Sequence, residues 1–143
     1  MIRKIENKDR EFYLKSVGEF YNSDAVLHPV PPENFEKTFE ELMQSDLYAE
    51  AFILEQDGEP KGYALLAKTF SQEAGGLTIW VEELYVLPDF RGKGLGSEFF
   101  EYLFKNRPAK RYRLEIEPEN EGAVKLYKRY GFKDFPYGQM IKE

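Results

Sequence analysis

Cysteine is absent from this chain of 143 residues. That excludes disulfides, thiolate catalysis and every zinc site built on cysteine. Histidine occurs once, as His28, which leaves little for a metal site, and none is expected. No run reaches the roughly 18 apolar residues of a membrane span. The start, Met1-Ile2-Arg3-Lys4-Ile5-Glu6, lacks the apolar core of a secretion signal. The cytoplasm is therefore the expected location, with no membrane partner. Positive charge is also in short supply, with 20 Lys and Arg against 26 Asp and Glu and a net charge of −6. Nucleic-acid binding calls for a basic face, so it is not expected. Lys105, Arg107, Lys110, Arg111 and Arg113 are clustered in sequence, but such a run reads as the solvated end of a helix, where cations suit the dipole. Repeats, low-complexity tracts and linkers are missing too, which predicts a single domain over residues 1–143.

What is present is the material of a core. Hydrophobic residues make up 42% and charged residues 32%, a globular balance. Twelve Phe and ten Tyr are too many for a binding site alone, so most belong to packing. Ile2 to Ile5 reads as a first strand. Tyr13, Val17, Phe20 and Tyr21 recur at helical spacing, as do Phe35, Phe39, Leu42 and Met43. Pro29, Pro31 and Pro32 forbid a continuous helix between them, and Pro32-Glu33 suits the start of the second. Ala51 to Leu54 and Gly62 to Ala67 are strands joined through Asp57-Gly58, a hairpin signal. Gly75-Gly76 turns into a third apolar run, Leu77 to Leu87.

After that run comes Pro88-Asp89-Phe90-Arg91-Gly92-Lys93-Gly94-Leu95-Gly96, followed by the helical stripe Leu95, Phe99, Leu103. This is a strand, a glycine-rich turn and a helix start. Glycines let the backbone approach a ligand, and the unpaired N–H groups of a first helical turn favour an anion. The spacing is neither that of a P-loop nor the G-x-G-x-x-G of a dinucleotide fold. Tyr112, Leu114 and Ile116 alternate with charged residues as in a half-buried strand. Ala123, Leu126, Tyr127 and Tyr130 form a last helix capped by Gly131, and Phe132 opens a closing hairpin through Tyr137-Gly138.

Arg91-Gly92-Lys93-Gly94-Leu95-Gly96 fits R-x-x-G-x-G and resembles the acyl-CoA loop of the GNAT superfamily of N-acetyltransferases. Gly58 to Tyr63 resembles the family's hairpin before its third strand. Asn120-Glu121-Gly122-Ala123-Val124-Lys125-Leu126-Tyr127, then Tyr130-Gly131-Phe132, is similar to its last helix. The resemblance spans nearly the whole chain and is weakest before about residue 48. It implies a GNAT fold of the α/β (α+β) class: a mixed central sheet whose fourth and fifth strands splay apart, flanked by about four helices. It implies acetyl-CoA as co-substrate, held by the backbone at Leu84, Tyr85 and Val86, by Arg91, Gly92, Lys93, Gly94, Leu95 and Gly96, and by Asn120 and Ala123. The implied reaction is direct acetyl transfer to the primary amine of a small molecule. Protein N-terminal or lysine acetylation, and a sensor of acyl-CoA without turnover, remain alternatives. The family also admits a homodimer.

Tyr127 stands seven residues after Asn120, where the family places its general acid. A phenol is close enough in pKa to a thiol to protonate it as it leaves. The base is left to Glu82, with Glu83 and His28 as alternatives and as contacts for the substrate. Glu82-Glu83-Leu84-Tyr85-Val86 is similar to the same stretch in polyamine acetyltransferases of the family. Two acids inside an apolar strand need a reason, because buried carboxylates are costly. Strand alternation sends the two to opposite faces.

Overall fold

The computed structural model describes residues 1–23, 26 and 28–143. A five-stranded sheet runs in the order β1 (Ile2–Lys4), β2 (Ala49–Gln56), β3 (Glu59–Ser71), β4 (Gly76–Val86), β5 (Arg111–Leu114). The first four strands are antiparallel to one another in turn, and β5 runs parallel to β4. Helices α1 (Arg10–Tyr21) and α2 (Pro32–Gln44) cover one face. Helix α3 (Leu95–Asn106) covers the other, where residues of α4 (Glu121–Arg129) also pack.

Alternation along β2 decides which layer each residue joins. Phe52 and Leu54 pack with Phe99, Phe100 and Leu103 of α3. Ala51 and Ile53 pack with Tyr13 and Val17 of α1 and Phe39 and Leu42 of α2. Phe99 and Phe100 are fully buried, which is worth about 1.5–3 kcal/mol for each such side chain. The β2–β3 turn has Asp57 at φ 54° and Gly58 at φ 77°, the two left-handed residues of a tight hairpin.

Strand β5 is shorter than its alternation predicts. It ends at Leu114, and Ile116 is exposed rather than packed. The closing hairpin through Tyr137-Gly138 is not formed: residues 132–143 carry no strand. Pro136 removes a ladder donor there. Phe135 instead lies against the guanidinium groups of Arg111 and Arg113, and Tyr137 bonds Glu73. The basic cluster is also less simple than a solvated helix end. Arg107 caps α3 and holds the buried carboxylate of Glu50 together with Lys68.

Candidate active site

The ladder between β4 and β5 is short. It runs from Thr78–Arg111 to Val81–Leu114, and β4 continues five residues further without β5 beside it. The strands part at Val81, and Glu82 is the first residue past the fork. The sheet irregularity at this point is a bulge. Leu65 pairs with Glu83 and Leu66 with Val81, so Glu82 has no partner across β3. An extra residue reverses the alternation beyond it. Ile79 and Val81 belong to the α3 side before the bulge, and Leu84 and Val86 belong to it afterwards.

The bulge corrects the expectation that Glu82 and Glu83 face opposite ways. Both fall on the α1–α2 side, and both raise the pKa of the Tyr21 phenol there, after its burial. Glu83 is buried and accepts hydrogen bonds from the hydroxyls of Tyr63 (2.6 Å) and Tyr21 (2.7 Å). Burial still outweighs these bonds, and its pKa is raised. Glu82 is exposed, yet surrounding protein desolvates it enough to raise its carboxyl pKa, with help from the charges of Glu115 and Glu83.

A cleft of about 1110 Å³ opens beyond the fork. Leu84, Tyr85 and Val86 form its β4 wall, and Arg91, Gly92, Gly94, Leu95 and Gly96 its loop wall. Asn120, Ala123 and Tyr127 of the last helical segment form a third side. Among the residues expected from sequence, Lys93, Glu82, Glu83 and His28 are not on this wall. Lys93 lies over the Phe90 ring, 5.1 Å from its centroid. His28 is exposed, and Asp24, four residues before it in sequence, lies outside the described residues.

The loop wall is backbone chemistry. Gly92 and Gly94 have φ of 74° and 87°, and Gly94 is the N-cap of α3. The first turn of α3 therefore begins on a residue without a side chain, and its N–H groups have no partner within the helix. Gly96 differs: its φ is not left-handed, and a Cβ there would come within 2.8 Å of the Leu126 side-chain terminus of α4, which would have to shift. The Arg91 side chain bonds the Val86 carbonyl at 2.8 Å and sits 5.5 Å from the Tyr85 ring centroid, fixing the loop against β4.

Asn120 is the N-cap of α4, its Oδ1 accepting from the Ala123 N–H at 3.3 Å. That leaves its amide N–H groups able to donate elsewhere. Tyr127 is half-buried between Phe100 and Phe132, with ring centroids 5.9 and 6.2 Å away. Burial alone raises its phenol pKa, so it stays protonated at neutral pH.

Several cleft residues carry no pattern that singles them out in the sequence. Phe20, Ser23 and Val26 line it from the end of α1 and the segment after it. Arg129 lines it too, and its guanidinium reaches the Ser97 hydroxyl at 3.1 Å, tying α4 to the first turn of α3. Only spatial proximity brings these to the loop. A second hollow of about 730 Å³ lies beyond β5, between Trp80, Tyr112 and Phe135. It includes none of the glycine loop. Among the described residues no group of three or more His, Asp or Glu is arranged to hold a metal ion. No helix among them is long and apolar enough to cross a membrane.

Residues 10–132 match the acetyltransferase (GNAT) family. The chain belongs to that family, and it is an acyltransferase enzyme by that membership. Thialysine N-epsilon-acetyltransferase of Sus scrofa is 32% identical across 94% of this chain and 84% of its own length. A putative ribosomal protein bS18-alanine N-acetyltransferase of Bacillus subtilis is 25% identical over 87% of this chain and 79% of its own. The aminoglycoside acetyltransferase AAC(6')-Iy, solved with a bisubstrate analogue, superposes with a TM-score of 0.81 at 19% identity, covering all of this chain and 97% of that one. The likeness is one of fold. The GNAT fold expected from the sequence is the observed one, with β4 and β5 parting after a short parallel ladder.

Proposed function

We propose that this enzyme transfers an acetyl group from acetyl-CoA directly to the primary amine of a small molecule, with both bound together. The observation that carries the reading is the fork. A cleft wide enough for an extended ligand has an anion-favouring helix start on one wall and Tyr127 on another. A desolvated carboxylate, Glu82, stands where the strands part.

The residues fit the co-substrate. Gly92 and Gly94 leave the loop open for a pyrophosphate, and the α3 N–H groups would hold it, with Arg91 and Arg129 adding positive charge. Bound acetyl-CoA supplies a thioester carbonyl for the amine to attack. Backbone donors near Val86 would stabilise the oxygen as it becomes negative, since they are fixed before the charge develops. Glu82 takes the proton of the incoming ammonium, and its raised pKa makes it a better proton acceptor than an ordinary carboxylate. Tyr127 gives its proton to the sulfur as the carbon–sulfur bond breaks, the second proton lost from the nitrogen restores the phenol through solvent, and the new carbon–nitrogen bond remains. Glu82, Glu83 and the acidic charge of the whole chain favour a cationic acceptor. The relative named for acetylating thialysine supports an amine of that size.

The test is release of CoA thiol from acetyl-CoA in the presence of polyamines, amino acids with side-chain amines, aminoglycosides and peptides. Release above background hydrolysis with at least one small amine is the expected result. Activity on peptide N-termini alone would make it a protein acetyltransferase, in line with the bS18-alanine relative. Tight CoA binding with no acceptor of any kind would make it a sensor.

A further inference from the structure

The last turn of α1 meets β4 through two hydrogen bonds that run in opposite directions. The Tyr21 hydroxyl of α1 donates to Glu83 of β4 at 2.7 Å. The Tyr85 hydroxyl of β4 donates to Glu19 of α1 at 2.7 Å. On the strand, Glu83 and Tyr85 are two residues apart and share a face. On the helix, Glu19 and Tyr21 are also two apart, but they diverge by about 200° around the axis. One such bond would let the helix end roll. Two diverging bonds to one strand face fix the roll.

Phe20 lies between them. Its ring meets Tyr85 edge-on at 6.3 Å and Tyr21 edge-on at 5.1 Å. Phe20 also lines the cleft, with Ser23 and Val26, as the part of the wall that comes from before β2. Tyr21 stacks on Phe35 of α2 at 5.3 Å, so the same contact anchors the far end of the α1–α2 connection. Glu83 is further locked by Tyr63, whose ring packs against Tyr13 at 5.3 Å. None of these groups belongs to the glycine loop.

We propose that the reciprocal Tyr21–Glu83 and Tyr85–Glu19 hydrogen bonds form a clasp that holds Phe20 in place and so sets the wall against which the amine acceptor binds. Glu19 and Tyr21 are positioning residues in this account. It rests on the reading of the cleft as an acetyl-transfer site.

The variants that test it are Tyr21→Phe, Glu19→Ala and the two combined. Alanine keeps the helix favourable at position 19. Loss of a hydrogen bond to a carboxylate should raise KM for the amine about tenfold in each single variant. Turnover should stay within about threefold and acetyl-CoA affinity should not change, because neither side chain touches the reacting atoms. The combined variant should be little worse than the poorer single one, since both bonds are needed for one effect.

Amide hydrogen exchange supplies a readout that needs no substrate. Residues 18–23 should exchange faster in each single variant, with the sheet unchanged. Faster exchange with an unaltered KM would overturn the role in acceptor binding, and unaltered exchange would overturn the clasp itself. If no amine is turned over at all, the acetyl-transfer reading fails while the exchange result still decides the clasp.

Discussion

At the glycine loop, Gly92 and Gly94 take left-handed angles, and the first turn of α3 offers N–H groups to the cleft. At the β4 bulge, Glu82 and Glu83 sit among Tyr63, Tyr21 and Glu115, which converge from separate parts of the chain. The first region is built almost wholly of backbone. The second is built of side chains. Under the proposed function, the loop serves acetyl-CoA, whose phosphates need only donors at fixed positions. The bulge serves the acceptor amine, whose proton must be removed, which calls for groups that titrate.

The comparison breaks most sharply at Tyr127, the side chain shared by the cleft and the α3-side core. Tyr127→Phe should lower turnover about a hundredfold, the usual scale of general acid catalysis. Acetyl-CoA affinity should be nearly unchanged by calorimetry, because only the hydroxyl is lost. Wild-type turnover in this variant would return Tyr127 to a packing role.

A smaller effect isolates charge at the loop. Gly94 has φ of 87° with open space where a Cβ would go, so any side chain there strains the backbone without a clash. Asparagine and aspartate at this position would share that strain and differ in charge. Gly94→Asp should therefore bind acetyl-CoA at least tenfold more weakly than Gly94→Asn, about 1.4 kcal/mol. Equal affinities would remove the loop from phosphate binding.

The smallest effect is on stability. The Glu83 carboxyl has its pKa raised by burial, so the folded protein holds that proton more tightly than the unfolded chain does. The resulting contribution is present below the unfolded-state pKa and is lost as pH rises through the raised folded value. Glu83→Gln has no such loss. Its melting temperature should gain on that of the wild type as pH rises through this window. A constant difference across the range would mean that Glu83 titrates normally.

The same contrast explains what can be read in the sequence. The loop is legible because its chemistry is local: Arg91 to Gly96 are consecutive, and glycine spacing reports backbone geometry directly. The hairpin at Asp57-Gly58 is legible for the same reason. Glu82 and Glu83 are visible as anomalies in an apolar strand, but their common face is not. It depends on a bulge defined only by the register of β3. Tyr21, Phe20 and Glu19 look like ordinary positions of an amphipathic helix until α1 is laid against β4. Alternation at Tyr112 to Ile116 predicts a longer β5 than forms, because nothing local records that β5 leaves β4 after Leu114.

The most direct test of the account is the pH–rate profile of kcat/KM for the wild type, Glu82→Gln and Glu83→Gln with a responsive amine. Glu82 must be deprotonated to act, so the wild-type rate should fall as pH drops through its raised pKa. Glu82→Gln should lose that acidic limb along with most of the rate. Glu83→Gln should keep the limb and move it to lower pH, because the charge of Glu83 is one of the causes that raise Glu82. A limb that vanishes in Glu83→Gln and persists in Glu82→Gln would exchange their roles. A limb that persists in both would pass the proton to His28, or to an amine that arrives neutral, and would contradict the assignment of the fork.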